Sequence, residues 1–224
     1  MMSYEELLAE LYARSDEKYR AFHFSLLNNK NLKLIGVRVP QLRTLAKEFK
    51  GAEDVLLSYP DEFFDVKFIK LSAVAALPYD KFILRLDYCV NLLDNWASCD
   101  GFKARCIASR RDDFVPYIEK YLASDAEFSQ RYALVTLLDF YVDKPYIPYI
   151  FDCCMRADCS MYYVHMGAAW LIAEVLVKYF NEGCNFLKRG ELPAATHNKA
   201  IQKARESFRL TPEQKQILNN LKRK

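Results

Sequence analysis

Apolar residues recur every three or four positions along almost the whole chain, and nowhere do they alternate with period two over a useful length. That spacing specifies amphipathic helices and excludes a sheet. Ser3 with Glu6 three residues on is a capping box, opening a first helix through about residue 13. Asp16 caps a second helix, and a polar connection follows at 28–33. Ile35-Gly36-Val37-Arg38-Val39-Pro40 then turns the chain, with Pro40 opening a helix over 41–49. Its apolar stripe is Leu42, Leu45, Ala46 and Phe49. Further apolar helical segments fall at 52–58, 62–76, 80–93, 114–123, 127–141, 146–156, 161–180, 194–208 and 211–221.

About a dozen helices on short turns, paired every 35–40 residues or so, fit a helical-repeat solenoid, with a globular bundle as the alternative. The apolar fraction of 52% is ample for the core of one domain spanning 1–224. No apolar run approaches membrane-spanning length. The start of the chain is acidic and lacks the basic and apolar regions of a signal peptide. The seven cysteines are odd in number and show no repeated CxxC spacing. Cys153, Cys154, Cys159 and His165 make a poor zinc set, so we read buried thiols, no metal and a reducing cytoplasm. The net charge of +3 conceals an asymmetry: ten Lys/Arg stand against three Glu from Lys188 onward, on a slightly acidic body. A polyanion partner or a solvated tail would each explain it.

Four features could carry chemistry. Trp96 and Asp100 are four residues apart, on one face if helical. An aromatic beside a carboxylate is unusual on a core face, because a buried unpaired carboxylate is costly. The bland reading makes Trp96 a core anchor and Asp100 the N-cap of a helix starting near Phe102. Arg131 interrupts the stripe Phe128, Val135, Leu138 and must be paired, either with Asp100 or Asp139 or with a phosphate. Trp170 lies in a segment apolar nearly all round, where core packing is the ordinary role, and His165 reads as a satisfied core or rim histidine. In the 197–209 stretch, Lys199, Gln202 and Lys203 crowd one helix side while Ala200, Ile201, Ala204 and Phe208 are expected to pack on the other. That basic face could grip a phosphate backbone or serve as a soluble cap.

Taken together, Ile35 to Pro40, Asp94-Asn95-Trp96 through Asp100, Gln130-Arg131, Ala169-Trp170 and His197 to Lys203 resemble the AlkD-like DNA alkylation repair family, in its order and spacing. The resemblance implies an all-α superhelical solenoid of HEAT-like antiparallel helix pairs with a concave DNA-binding face. It implies a DNA glycosylase that excises cationic alkylpurines, such as 3-methyladenine and 7-methylguanine, from duplex DNA without drawing the base into a snug pocket. By motif, Asp100 matches the catalytic aspartate. Trp96 and Trp170 match the tryptophans flanking the lesion, Arg131 matches the phosphate-gripping arginine, and Lys199 and Lys203 supply the basic DNA-binding face. Neither metal nor cofactor is implied, and no lyase step, since the motif places no lysine beside the Trp96–Asp100 pair. The expected partner is double-stranded DNA containing alkylated bases, for a cytoplasmic, nucleoid-associated monomer with no membrane and no obligate protein partner. The match departs at Leu27, which stands where an aromatic lines the family's site, and at Phe128, which replaces a Trp. The Asp94-Asn95-Trp96 form marks a separate branch. Two rivals are a noncatalytic binder of damaged or branched DNA and a protein-binding helical scaffold.

Overall fold

The computed structural model describes residues 2–27, 29 and 31–224. Among these, helices account for all regular structure, apart from one isolated bridge between Lys33 and Phe63. Asn28 and Lys30, within the expected polar connection, lie outside the described residues. The chain divides into two compact units, Met1–Ile107 and Ala108–Lys224.

The first unit contains α1 (Tyr4–Ala13), α2 (Glu17–Leu27), α3 (Val39–Glu48), α4 (Glu53–Leu57), α5 (Phe64–Ala75), α6 (Tyr79–Asn91) and α7 (Trp96–Gly101). Both bonds of the Ser3–Glu6 capping box form, and Asp16 Oδ1 accepts from Tyr19 N at 3.0 Å to cap α2. Alternate helices pack side by side: α3 against α5, and α5 against α7. Arg85 of α6 reaches Asp54 of α4 in the same way. Successive helices therefore fall into two layers, the arrangement of a helical repeat.

Buried polar groups on α5 fix that stacking. Asp65, 1% exposed, accepts from the backbone N–H groups of Ile35, Gly36 and Val37 at 2.8, 3.2 and 2.9 Å. Burial holds its carboxyl above the ordinary carboxylate range, and these three bonds offset only part of that rise. The turn Ile35 to Pro40 is thus a structural clasp. Gly36 sits at φ +97, with Arg20 so close that any Cβ would clash. Lys70, wholly buried, donates to the Leu57 and Tyr59 carbonyls and to Asp61.

The second unit contains α8 (Arg111–Leu122), α9 (Glu127–Phe140), α10 (Ile147–Arg156), α11 (Tyr162–Lys178), α12 (Phe180–Arg189), α13 (Ala194–Glu206) and α14 (Pro212–Asn220). Here α11 packs most extensively against α13 and α9. Their direction follows from the bonds between them. Early in each helix, Arg131 Nη1 donates to the Tyr163 carbonyl, Glu127 accepts from Tyr163 N, and His165 Nδ1 meets Thr196 Oγ1. Late in α11, Glu174 binds Arg209 just beyond α13. These partners are 31 to 36 residues apart, so α9, α11 and α13 run parallel, one repeat apart. The other layer repeats the theme: Glu119 of α8 meets Tyr149 and Arg156 of α10, and Phe151 of α10 stacks on Phe186 of α12 at 4.1 Å. Tyr141, closing α9, donates to the carbonyl of Arg111 at the start of α8, which makes that pair antiparallel.

Expected helical segments match observed ones to within a few residues, but α7 was not among them, and two further corrections apply. The segment expected over 161–180 ends at Lys178, and a separate helix, α12, follows that no expectation included. Its mid-helix Gly183 weakens the local signal, yet a Cβ there would meet Leu176 Cδ2 at 2.7 Å, so the close approach of α12 to α11 requires glycine. Phe208, expected to pack, lies beyond the end of α13 and is 102% exposed.

Candidate functional site

The helix bearing Trp96 and Asp100 is short, six residues, and begins at Trp96. Its N-cap is Asn95, whose Oδ1 accepts from Ser98 N at 2.9 Å, while Phe102 closes the helix. The reading of Asp100 as the N-cap of a following helix is therefore wrong: Asp100 lies inside α7 and its side chain is partly exposed. Four-residue spacing on a continuous helix places it on the face of Trp96. The indole Nε1 of Trp96 donates to the Leu26 carbonyl at 3.1 Å, which leaves the ring half-buried at the edge of the first unit's core.

The residues just before Trp96 anchor this helix. Asp94 pairs with Lys67 of α5 and accepts from Asn95 Nδ2 at 2.7 Å, and Asn29 Nδ2 donates to the Asp94 carbonyl. At the other end, a Cβ on Gly101 would come within 2.9 Å of the Phe68 ring. Sequence reasoning missed these roles, although an Asn three residues before Ser98 is a capping signal and a lysine in the apolar stretch after Phe64 demands a partner.

In the second unit the candidates fall on α9, α11 and α13. Arg131 is buried at 5% exposure, with its guanidinium 5.9 Å over the Tyr163 ring as well as bonded to that residue's carbonyl. Gly167 of α11 packs over this arginine, its Cβ position lying in ordinary contact 3.7 Å from Arg131 Cγ. Trp170 overturns the core-packing expectation. It is 40% exposed in a helix whose Ala168, Ala169, Leu171 and Ile172 are buried. Lys199 and Lys203 project from α13 opposite buried Ala200, Ile201 and Ala204. Lys199 donates to Gln202 at 3.1 Å and Lys203 stands 3.6 Å from Glu206. Such exposed contacts are weak and can be exchanged for a phosphate. His165 is a satisfied rim histidine, as expected, held by Thr196.

Leu27 requires a correction. At 1% exposure it is packed in the first unit's core, while Phe22, Phe24 and Leu26 of the same helix are exposed. A polar recess lined by Arg110, Arg111 and Tyr146 and an apolar one lined by Phe151, Met155 and Phe186 contain no candidate residue. The seven thiols are free, and no helix is long and apolar enough to cross a membrane among the described residues.

The class is an all-α protein of stacked helical repeats, with an aromatic and a carboxylate four residues apart on one short helix of the first unit, and an exposed tryptophan on α11 and two lysines on α13 of the second. The chain belongs to the family described as DNA alkylation repair enzyme, which matches residues 6–207. No curated protein matches the sequence significantly.

Proposed function

We propose that this protein is a monofunctional DNA glycosylase that hydrolyses the N-glycosidic bond of cationic alkylpurines, 3-methyladenine and 7-methylguanine, in double-stranded DNA. One observation carries the reading. Every candidate residue lies on a single layer of helices in its unit, α7 in the first and α9, α11 and α13 in the second, and none lies on the alternate layer. Residues scattered as core anchors and caps would not be sorted in this way.

The chemistry suits these side chains. Loss of a cationic purine leaves positive charge on the deoxyribose. In this reading the Asp100 carboxylate stabilises that charge and orients the attacking water. Trp96 and Trp170 match the family's tryptophans, and an aromatic face attracts a developing cation. Arg131 contacts a phosphate, and Lys199 and Lys203 add backbone contacts. A cationic base is already a good leaving group, so no strong general acid is required. Both units act as one domain in a cytoplasmic, nucleoid-associated monomer without metal or cofactor.

Release of 7-methylguanine from methylated duplex DNA, measured for the wild type and Asp100→Asn together, tests the proposal. Wild-type release that falls by two orders of magnitude or so in Asp100→Asn supports it. Equal release by both would show a structural carboxylate. No release by the wild type, with duplex binding retained, would favour the noncatalytic binder.

A further inference from the structure

A helix of six residues does not hold its own direction in water; tertiary contacts must set it. For α7 those contacts are its packing on α5, the bond from Trp96 to the Leu26 carbonyl, and a chain of charge and hydrogen bonds that starts on α5 and sets its first turn. Lys67, 9% exposed, pairs with one carboxylate oxygen of Asp94. The other oxygen accepts from Asn95 Nδ2 at 2.7 Å. Asn95 is 1% exposed, so its amide is held in a closed site with one orientation satisfied: Nδ2 toward Asp94, Oδ1 toward Ser98 N at 2.9 Å. Ser98 completes the clamp, its Oγ donating to the Asn95 carbonyl at 3.0 Å. The carboxylate of Asp94 thus decides which end of the Asn95 amide faces the helix, and the cap decides where the first turn of α7 begins.

We infer that Lys67, Asp94 and Asn95 are positioning residues that fix the rotation and entry angle of α7, and through it the placement of Asp100 and Trp96. The inference rests on the glycosylase reading above, because it assigns α7 the reacting carboxylate. Removing Asp94 leaves the Lys67 charge without its counterion and lets the Asn95 amide turn over. In either case α7 can swing on its six-residue length while the rest of the first unit stays packed around Asp65 and Lys70, whose bonds run to other segments. A carboxylate displaced by about 1 Å costs on the order of a hundredfold in rate, while the phosphate contacts assigned to Arg131, Lys199 and Lys203, on other helices, stay in place.

The test is single-turnover base release from 7-methylguanine duplex at saturating enzyme, with duplex affinity and folded fraction measured on the same preparations. The proteins are the full-length wild type, Asp100→Asn, Asp94→Asn and Asn95→Ser. Asp94→Asn preserves volume but not charge. Asn95→Ser keeps a capping oxygen and loses the donor to Asp94, and it serves if Asp94→Asn folds poorly. The expected result is a rate per folded molecule lowered by about 10- to 100-fold in both positioning variants, with duplex affinity within about twofold of wild type. Wild-type rates per folded molecule in both variants, alongside a large loss in Asp100→Asn, would overturn the positioning role and leave the glycosylase reading intact. Equal loss of affinity and rate would also overturn it, by placing these residues in DNA binding. A wild type that releases no base would overturn both.

Discussion

The indole Nε1–H of Trp96 and the carbonyl oxygen of Leu26 stand 3.1 Å apart, joining the first residue of α7 to the last turn of α2. The bond satisfies the single polar atom of the ring and fixes how its faces are presented. Trp96→Phe keeps an aromatic plate and loses the bond, so it should lower unfolding free energy by about 1 kcal/mol. Urea denaturation followed by circular dichroism would measure this, and a shift in midpoint without a change in slope is the expected form.

Asp65→Ala should be far more costly. It strands three buried backbone donors in the turn at Ile35, Gly36 and Val37. About 3–5 kcal/mol of stability should be lost. A loss below 1 kcal/mol, measured in the same way, would mean that the turn finds other acceptors.

Gly101→Ala directs a methyl group at the Phe68 ring, where only 2.9 Å separates the two positions. The expected cost is about 1–3 kcal/mol of overpacking. Pairing the substitution with Phe68→Leu should recover a measurable part of it, because the two positions share one space.

All three histidines are held below the ordinary imidazole range, chiefly by burial. Lys199 adds to the effect at His165 and Arg223 at His197, while Asp65 opposes it at His23. A folded-state pKa below the unfolded value of about 6.5 means that the unfolded chain binds more protons in the interval between them. Stability is then fully present above pH 6.5 and is lost as pH falls toward the folded values. Melting temperature should drop between pH 7 and pH 5.5. His197→Gln can still donate to the Leu221 carbonyl that His197 Nε2 now meets at 2.7 Å, and should flatten that slope.

Binding to duplex DNA should weaken steeply with salt, by about one power of ten for each tenfold rise in salt per phosphate contacted. Lys199→Ala and Lys203→Ala should each reduce the slope by about one. Arg131→Ala should weaken binding by about 1–3 kcal/mol and also lower stability, since it removes the donor to the Tyr163 carbonyl. Unchanged affinity in its folded fraction would mark Arg131 as structural only.

Much of the fold was legible in the sequence because helical periodicity is a local property. The capping box at Ser3 and the stripe at Leu42, Leu45 and Ala46 appear where expected. What escaped depended on neighbours distant in sequence. Gly183 looks like a helix breaker until Leu176 is seen against it, and Asp65 gives no sign of the turn it clasps. The candidate residues were named through blocks resembling a family, whereas their surroundings needed coordinates. Local physics favoured a packed Trp170, yet that ring is exposed because its face of α11 is not the face that meets the core. The same physics placed Phe208 inside, where chain direction after α13 takes it outward.

The sorting of candidate residues onto alternate helices has a consequence for how this chain tolerates change. On the proposed assignment, substitutions on α8, α10 and α12 should lower activity chiefly by destabilising the protein, so a stabilising second change should rescue most of them. Substitutions on α7, α9, α11 and α13 can fail in a folded molecule, beyond such rescue. A scan of many variants, each measured for abundance and for survival of alkylation damage, would then separate into bands that alternate helix by helix along the chain.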